Sequence, residues 1–232
     1  MHPLAAFIPQ PTQSTINTTV WILSVALQFA LFAALFARGI ARQFSIFTSL
    51  IGFYLLRSAL LFLIFGHINP ATYRSLYNDL VLIDLFAQTA VAIEILLHLV
   101  HANGNWPRRN ALTAAALLSI AALATALTTT LLPAHAPIPV DRTQFFFSFL
   151  MLLLFAWAMR IPAASNLVRH IAGGFALYGI VNISANFGRT YAALHNNVPL
   201  YATWSYALAA IYLVVVLFWL FTLKSERDAD AV

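Results

Sequence analysis

Three carboxylates in one apolar stretch are the residues of this chain best placed to do chemistry. The stretch runs from Tyr77 to His101 and is long enough to cross a bilayer, yet it carries Asp79, Asp84 and Glu94. An unpaired charge in hydrocarbon costs a few kcal/mol or more, so each carboxylate needs a partner. The whole chain has seven acidic residues. Because nearly half of them lie here, we expect this stretch to be central to function.

Arg57 is the predicted partner of Asp84. Arg57 lies nine residues before its own apolar run ends at Gly66, and Asp84 lies eight residues after Leu76, which directly precedes the next run. At a rise of 1.5 Å per helical residue, these positions are about 14 Å and about 12 Å below the same membrane surface. The sequence therefore predicts an Arg57–Asp84 ion pair between adjacent antiparallel helices, with either a structural or a functional role.

A stripe of polar side chains marks the sixth apolar run, and its members are Tyr178, Asn182, Asn186 and Arg189. They fall within an arc of about 80° at 100° per residue, so we expect them to face the bundle interior. Tyr212 is the matching candidate on the seventh run, and Arg189 lies near the depth of Asp79, which predicts a second ion pair. The second, third, sixth and seventh runs would then line a polar cavity open to the outside. The alternative is that these groups only form hydrogen bonds between helices.

Glu94, His98 and His101 form a separate titratable cluster at the inner end of the third run. Their spacing places them on one helix face, and histidine with glutamate at such spacing can bind a metal. We expect no metal site, because no further acidic residue or dense histidine cluster completes the set. Glu94 is instead a candidate proton acceptor, or a partner for a basic residue near the inner surface.

Other cofactors are disfavoured or excluded by the ligands that they need. Two bis-histidine haems would need His67 with His195 and His98 with His170, but all four lie at predicted helix ends, where histidine is common for interfacial reasons. Retinal needs a lysine inside the last helix, and the only lysine of the chain is Lys224, at the cytoplasmic end of that helix. No cofactor is therefore assigned.

The sequence motifs of common enzymes are absent. The chain contains no GxSxG, HExxH, Walker or Rossmann glycine pattern. It also has no cysteine, which excludes thiolate nucleophiles and disulfides. No catalytic residue is assigned, and a non-enzymatic role is favoured.

The elements that must position these residues are predicted to be membrane helices. The chain is 62% hydrophobic and 8% charged, whereas about a quarter of the residues of a soluble domain are charged. Apolar runs long enough to span recur seven times, near 19–40, 44–66, 77–100, 111–132, 143–161, 171–194 and 200–223. We therefore predict an all-α, polytopic seven-transmembrane-helix bundle over 19–223, with an extracytoplasmic segment at 1–18 and a cytoplasmic tail at 224–232. The fourth run would separate two groups of three helices.

The distribution of basic residues predicts the orientation of the bundle. One side collects eight of them: Arg38, Arg42, Arg108, Arg109, Arg160, Arg169, Lys224 and Arg227. The other side collects only Arg74 and Arg142. The N-terminus is therefore expected outside and the C-terminus in the cytoplasm. The net charge of +5 reflects this bias rather than binding to nucleic acid.

The chain resembles a group of small bacterial seven-transmembrane-helix proteins. The matching features are Glu94 in the segment IEILLHLV, the segment IAGGFALY at 171–178, and the aromatic residues Tyr212 and Trp219. The resemblance implies seven helices and a multi-pass location in the bacterial inner (plasma) membrane. It implies no activity and no site residues.

Two functions follow from these features. The first is a non-enzymatic bundle, acting as a sensor or complex subunit, that binds a small ligand or a membrane partner through the polar outer cavity. The second is a secondary transporter of small solutes, with proton coupling through Asp84 or Glu94. Transporter sites often use helices broken in mid-membrane, and no proline lies in the middle of a predicted run. This favours the first function.

Overall fold

The computed structural model describes residues 15–64, 67–102, 108–131 and 139–223. Within these ranges the chain forms seven long α-helices and one four-residue helix, α2. In chain order they are α1 (Thr15–Ala37), α2 (Ile40–Gln43), α3 (Ser45–Ile64), α4 (Pro70–Ala102), α5 (Arg108–Leu131), α6 (Pro139–Arg160), α7 (Asn166–Leu194) and α8 (Val198–Thr222).

Each of the seven predicted runs coincides with one long helix, but several ends differ. The first run was expected to reach residue 40, whereas α1 ends at Ala37 because Gly39 adopts the left-handed conformation (φ 70°). The third run was expected from residue 77, whereas α4 begins at Pro70. Proline fits the first turn of a helix, since its missing N–H would lack a partner there. The side-chain oxygen of Asn69 accepts the backbone N–H of Thr72 (2.8 Å) and caps this start.

Five of the helices are long and apolar enough to cross a membrane by length and composition. They are α1, α3, α4, α7 and α8, within the spans Thr19–Ala37, Ser45–Ile64, Ala71–Ala102, Asn166–Leu194 and Val198–Thr222. The apolar parts of α5 and α6 are shorter, at Leu112–Thr128 and Phe145–Arg160. In the described ranges the regular secondary structure is thus all helical, with several candidate membrane spans, as the composition predicts.

The helices form two consecutive groups. In the first group α3 packs against α1 and α4, and in the second α7 packs against α6 and α8. The groups meet where α1 contacts α8 and where α4 contacts α6 and α7, while α5 packs mainly on α6. Six helices therefore surround a common centre, and the connecting helix α5 lies beside them. We call the end at which α1 begins the top of the bundle and the opposite end the bottom.

Two arginines stabilise helix ends at the bottom of the bundle. Arg38 donates from Nη1 to the carbonyls of Leu220 (2.8 Å) and Leu223 (2.6 Å), at the end of α8. Arg169 donates from Nη2 to the carbonyl of Ile161 (2.9 Å), just past the end of α6. The last carbonyls of a helix lack partners within it and carry partial negative charge. These arginines therefore supply hydrogen-bond donors to the free carbonyls at the ends of α8 and α6.

Candidate functional site

A cavity of about 520 Å³ lies among the six surrounding helices. It extends from Val20, near the top of α1, to Trp219 on α8. Its polar lining comes from Ser24 and Gln28 of α1, Tyr54, Arg57 and Ser58 of α3, Asp84 and Gln88 of α4, Tyr178 of α7, and Ser205, Tyr206 and Tyr212 of α8. A cavity thus lies between the helices of the second, third, sixth and seventh predicted runs, and α1 and α6 belong to its wall as well.

The predicted Arg57–Asp84 ion pair forms part of this wall. Arg57 Nη1 lies 3.1 Å from Asp84 Oδ2, and each side chain is 16% exposed. The second carboxylate oxygen accepts a hydrogen bond from Gln88 Nε2 (2.8 Å), which also donates to the hydroxyl of Tyr54 (3.1 Å). The pair is thus embedded in a hydrogen-bonded network that joins α3 to α4.

Tyrosines from α3, α7 and α8 meet at the cavity. The ring of Tyr212 lies edge-on to those of Tyr54 (centroids 6.1 Å apart) and Tyr178 (6.5 Å). Its hydroxyl accepts a hydrogen bond from Gln28 Nε2 (2.8 Å). Gln28 is 3% exposed, and its Oε1 has no partner among the described residues. The buried amide thus joins α1 to α8.

An aromatic cluster closes the cavity below. Trp219 lies 5.1 Å from the ring of Phe47 and 4.9 Å from that of Phe175, and Phe147 packs edge-on to Phe175 at 5.8 Å. The indole N–H donates to the carbonyl of His170 (3.1 Å), which fixes its orientation. The four rings come from α3, α6, α7 and α8, so the floor depends on both helix groups.

Asn182 and Asn186 are buried in the bundle interior, as predicted, but neither they nor Arg189 line the cavity. The contacts match the alternative, in which the stripe forms hydrogen bonds. Asn182 donates to the hydroxyl of Ser148 on α6 (3.1 Å), and Asn186 donates to Asn182 Oδ1 (3.1 Å). Arg189 in turn donates to Asn186 Oδ1 (2.7 Å). The cause is the close approach of α7 to α6, since a Cβ on Gly179 would lie 3.2 Å from the carbonyl oxygen of Ser148. That contact orients the face of α7 that carries Asn182 and Asn186 toward α6.

The predicted Asp79–Arg189 ion pair is also wrong. Asp79 is exposed, and Arg189 bonds to Asn186 on its own helix. The prediction placed Asp79 two residues below the start of its helix, whereas α4 begins at Pro70, nine residues before Asp79.

Glu94 is buried at 6% exposure and caps a neighbouring helix. Its two carboxylate oxygens accept the backbone N–H groups of Ile46 (3.0 Å) and Phe47 (2.9 Å), in the first turn of α3. The first N–H groups of a helix lack partners within it, and the dipole favours an anion there. Glu94 therefore has a structural role.

The inner cluster of titratable residues does not converge. His98 bonds through Nδ1 to the carbonyl of Glu94 (2.8 Å) and stacks on Phe44 at 4.4 Å. His101 is exposed and bonds to the carbonyl of Leu97 (2.7 Å). In the part of the chain that the structure describes, no group of three or more histidine, aspartate or glutamate side chains is arranged to hold a metal.

Several lining residues escaped the sequence analysis. Ser24 and Gln28 are four residues apart on α1, which places them on one helix face, in a run that is otherwise strongly apolar. Tyr54 precedes Arg57 by three residues and shares its face for the same reason. These two spacings are the features of the sequence that could have predicted that Ser24, Gln28 and Tyr54 line the cavity.

The chain was compared with protein-family models, with curated proteins and with solved structures, and no match was found in any of the three. The resemblance to small bacterial seven-helix proteins therefore stays a prediction.

Proposed function

We propose that the protein is an integral membrane protein without enzymatic activity that binds a small ligand in the cavity. It would act as a sensor or as a subunit of a membrane complex. The observation that carries the proposal is the cavity of about 520 Å³ with the Arg57–Asp84 pair in its wall. Sites for small ligands typically have volumes of about 300–1,000 Å³ and combine an apolar lining with a few convergent polar groups.

The ion pair supports a binding role, because a buried ion pair is by itself weak evidence for a stabilising role. Replacing a buried ion pair with apolar side chains is often neutral or stabilising. Here the pair is 16% exposed and lines the cavity, so a ligand can reach it. A guanidinium has five N–H donors, and the bond to Asp84 uses one nitrogen of Arg57. The pair can therefore hydrogen-bond a polar ligand as well.

We further propose that all seven long helices cross the bacterial inner membrane. α5 has 24 residues and α6 has 22, about 36 and 33 Å in length. Their apolar parts, Leu112–Thr128 and Phe145–Arg160, would cover about 25 and 24 Å of a hydrocarbon core of about 30 Å, so the polar helix ends would reach the two surfaces. The bias of basic residues supports an N-terminus outside and a C-terminus in the cytoplasm. In this orientation the top of the bundle faces the outside.

Secondary transport of a small solute is the alternative. Two groups of three helices that meet at a central cavity, with an aromatic floor beneath it, are compatible with one state of an alternating-access cycle. Proton coupling would then depend on Asp84, because both oxygens of Glu94 cap α3. Flux of a solute into proteoliposomes, abolished by Asp84→Asn, would favour this function.

Two adjacent alanines give a matched test of ligand binding. Ala209 lines the cavity, whereas Ala210 is exposed on the outer face of α8. A library of small molecules is screened for an increase in the melting temperature of the purified protein. We expect at least one compound to stabilise the wild type and Ala210→Phe but not Ala209→Phe, because only the latter fills the cavity. If every stabilising compound acts equally on both variants, the proposal is wrong.

A further inference from the structure

A second, apolar groove of about 510 Å³ lies on the outer side of the contact between α1 and α3. Its lining includes Ala26 and Phe29 of α1 and Ala59, Phe62 and Leu63 of α3. Phe29, Phe62 and Leu63 are 62%, 47% and 69% exposed. The small side chains of the two alanines leave the space between the helices unfilled. Because α1 and α3 are candidate membrane spans, this groove would face lipid.

The groove adjoins the polar cavity through a single shared residue. Trp21 lines both, and its ring packs edge-on to Phe62 with centroids 5.3 Å apart. Further down, the contact between the helices is tight, since a Cβ on Gly52 would lie 2.9 Å from the ring of Phe32. The groove and the cavity therefore approach each other in the upper part of the contact, where Trp21 lies between them.

The charges in the cavity indicate what kind of headgroup fits. Of the described residues that line it, only Arg57 and Asp84 are charged, so the lining is neutral overall. A headgroup with one net charge would bring an unbalanced charge into a poorly solvated site, which is costly. A zwitterion can place its anionic group near Arg57 and its cationic group near Asp84 and the faces of the tyrosines.

From these observations we propose that the ligand is a single-chain amphiphile with a net-neutral headgroup that enters sideways from the bilayer. The headgroup lies in the cavity beside Arg57 and Asp84, and the hydrocarbon chain passes Trp21 into the groove between α1 and α3. This inference rests on the proposed function and specifies the class of ligand and its route.

Photolabelling tests the position of the chain. The protein is placed in nanodiscs of phosphatidylglycerol, which has two chains and is anionic, and the probe is lysophosphatidylcholine with a diazirine in mid-chain. After irradiation, adducts are mapped by peptide mass spectrometry. We expect them to concentrate at residues 22–29 and 55–63. An even spread over exposed positions elsewhere, such as Leu118, Leu123 and Phe221, would overturn the inference.

Two variants on one face of α1 separate the groove from ordinary lipid contact. Ala26→Trp fills the groove, whereas Ala33→Trp lies two turns below it on the same face and is also exposed. In Ala26→Trp the indole should displace about two methylene groups of the lysolipid chain from the groove, which should lower groove labelling about tenfold. Ala33→Trp should change the labelling little. Ala209→Phe, which blocks the headgroup site, should lower it as well. Groove labelling that neither Ala26→Trp nor Ala209→Phe changes would contradict the inference.

The headgroup without its chain distinguishes this inference from the proposed function. Glycerophosphocholine should raise the melting temperature of the wild type and of Ala26→Trp alike, and should fail on Ala209→Phe. If it does so while the lysolipid leaves the groove unlabelled, the cavity binds a ligand but the chain route is wrong. A diazirine-bearing fatty acid, which is anionic, should label the groove more weakly than the lysolipid; equal labelling would overturn the assignment of a neutral headgroup.

A second copy of the chain is the competing occupant of the groove. Because the chain has no cysteine, Ala26→Cys introduces a single thiol. A disulfide-linked dimer formed in the nanodiscs through this thiol, together with an absence of lipid adducts, would assign the groove to a second copy and overturn the inference. A monomeric thiol whose alkylation is slowed by the lysolipid supports it.

Discussion

The carboxylate of Glu94 accepts the backbone N–H of Phe47 at 2.9 Å, so that α4 caps the first turn of α3 from inside the bundle. This cap is linked to the floor of the cavity through Phe47, because its ring packs against Trp219. A buried carboxylate at the bottom of the bundle thereby positions the aromatic residues that close the site above it.

Glu94→Gln should destabilise the protein by about 2 kcal/mol, because an amide offers one acceptor oxygen where the backbone N–H groups of Ile46 and the buried Phe47 need partners. The free energy of unfolding in mixed detergent micelles checks this value. Asp79→Asn is the control, since Asp79 lies exposed on the same helix and its loss should cost less than about 0.5 kcal/mol. Equal effects of the two changes would show that the capping bonds contribute nothing.

Arg57→Leu and Asp84→Leu should each destabilise the protein by about 2 kcal/mol, since each leaves one charge unpaired in a partly buried site. The double substitution should recover much of that loss, because no charge is then left without its partner. A double-mutant cycle on the free energy of unfolding measures the coupling. Simply additive losses would mean that the two side chains do not interact.

Gly174→Ala should destabilise the floor of the cavity, because a Cβ there would collide with the indole ring of Trp219. Overpacking of this kind costs about 1–3 kcal/mol, and the fluorescence of Trp219 should change as the ring moves. Gly173→Ala is the neighbouring control: its Cβ would lie 3.1 Å from the half-buried ring of Phe155, which can shift. If the smaller ring of Trp219→Phe fails to relieve Gly174→Ala, the proposed collision is not the cause.

The orientation of the bundle can be read from single thiols. His195 and Ala163 are both exposed and lie just beyond opposite ends of α7, and the chain has no cysteine of its own. In intact cells a membrane-impermeant maleimide should label His195→Cys, and it should label Ala163→Cys only after lysis. The reverse pattern would invert the topology, and labelling of both residues in intact cells would mean that α7 does not span.

Sequence reasoning reached the helices and the Arg57–Asp84 pair for definite physical reasons. A run of about 20 apolar residues predicts a membrane helix, and the constant rise of a helix converts residue number into depth. Depth leaves the rotation of each helix undetermined. The asparagine stripe of α7 therefore pointed at α6 rather than at the cavity, because the contact of Gly179 with Ser148 sets that rotation.

The wall contributed by α1 could not be predicted for a related reason. Gln28 reaches Tyr212 on α8, and the two residues are far apart in sequence on helices that run in the same direction. No connecting loop links α1 directly to α8, so their contact follows only from how the two helix groups close. The capping role of Glu94 depended likewise on the rotation of α4, which turns its carboxylate toward the first turn of α3.

The most direct test of the central claim, that the cavity holds a small ligand, is native mass spectrometry of the protein released gently from its own membranes. The wild type and Ala210→Phe should carry a bound molecule of defined mass that Ala209→Phe lacks, because the phenyl ring occupies its place. The same bound species in all three proteins, or none in the wild type, would contradict a ligand-binding cavity at this site.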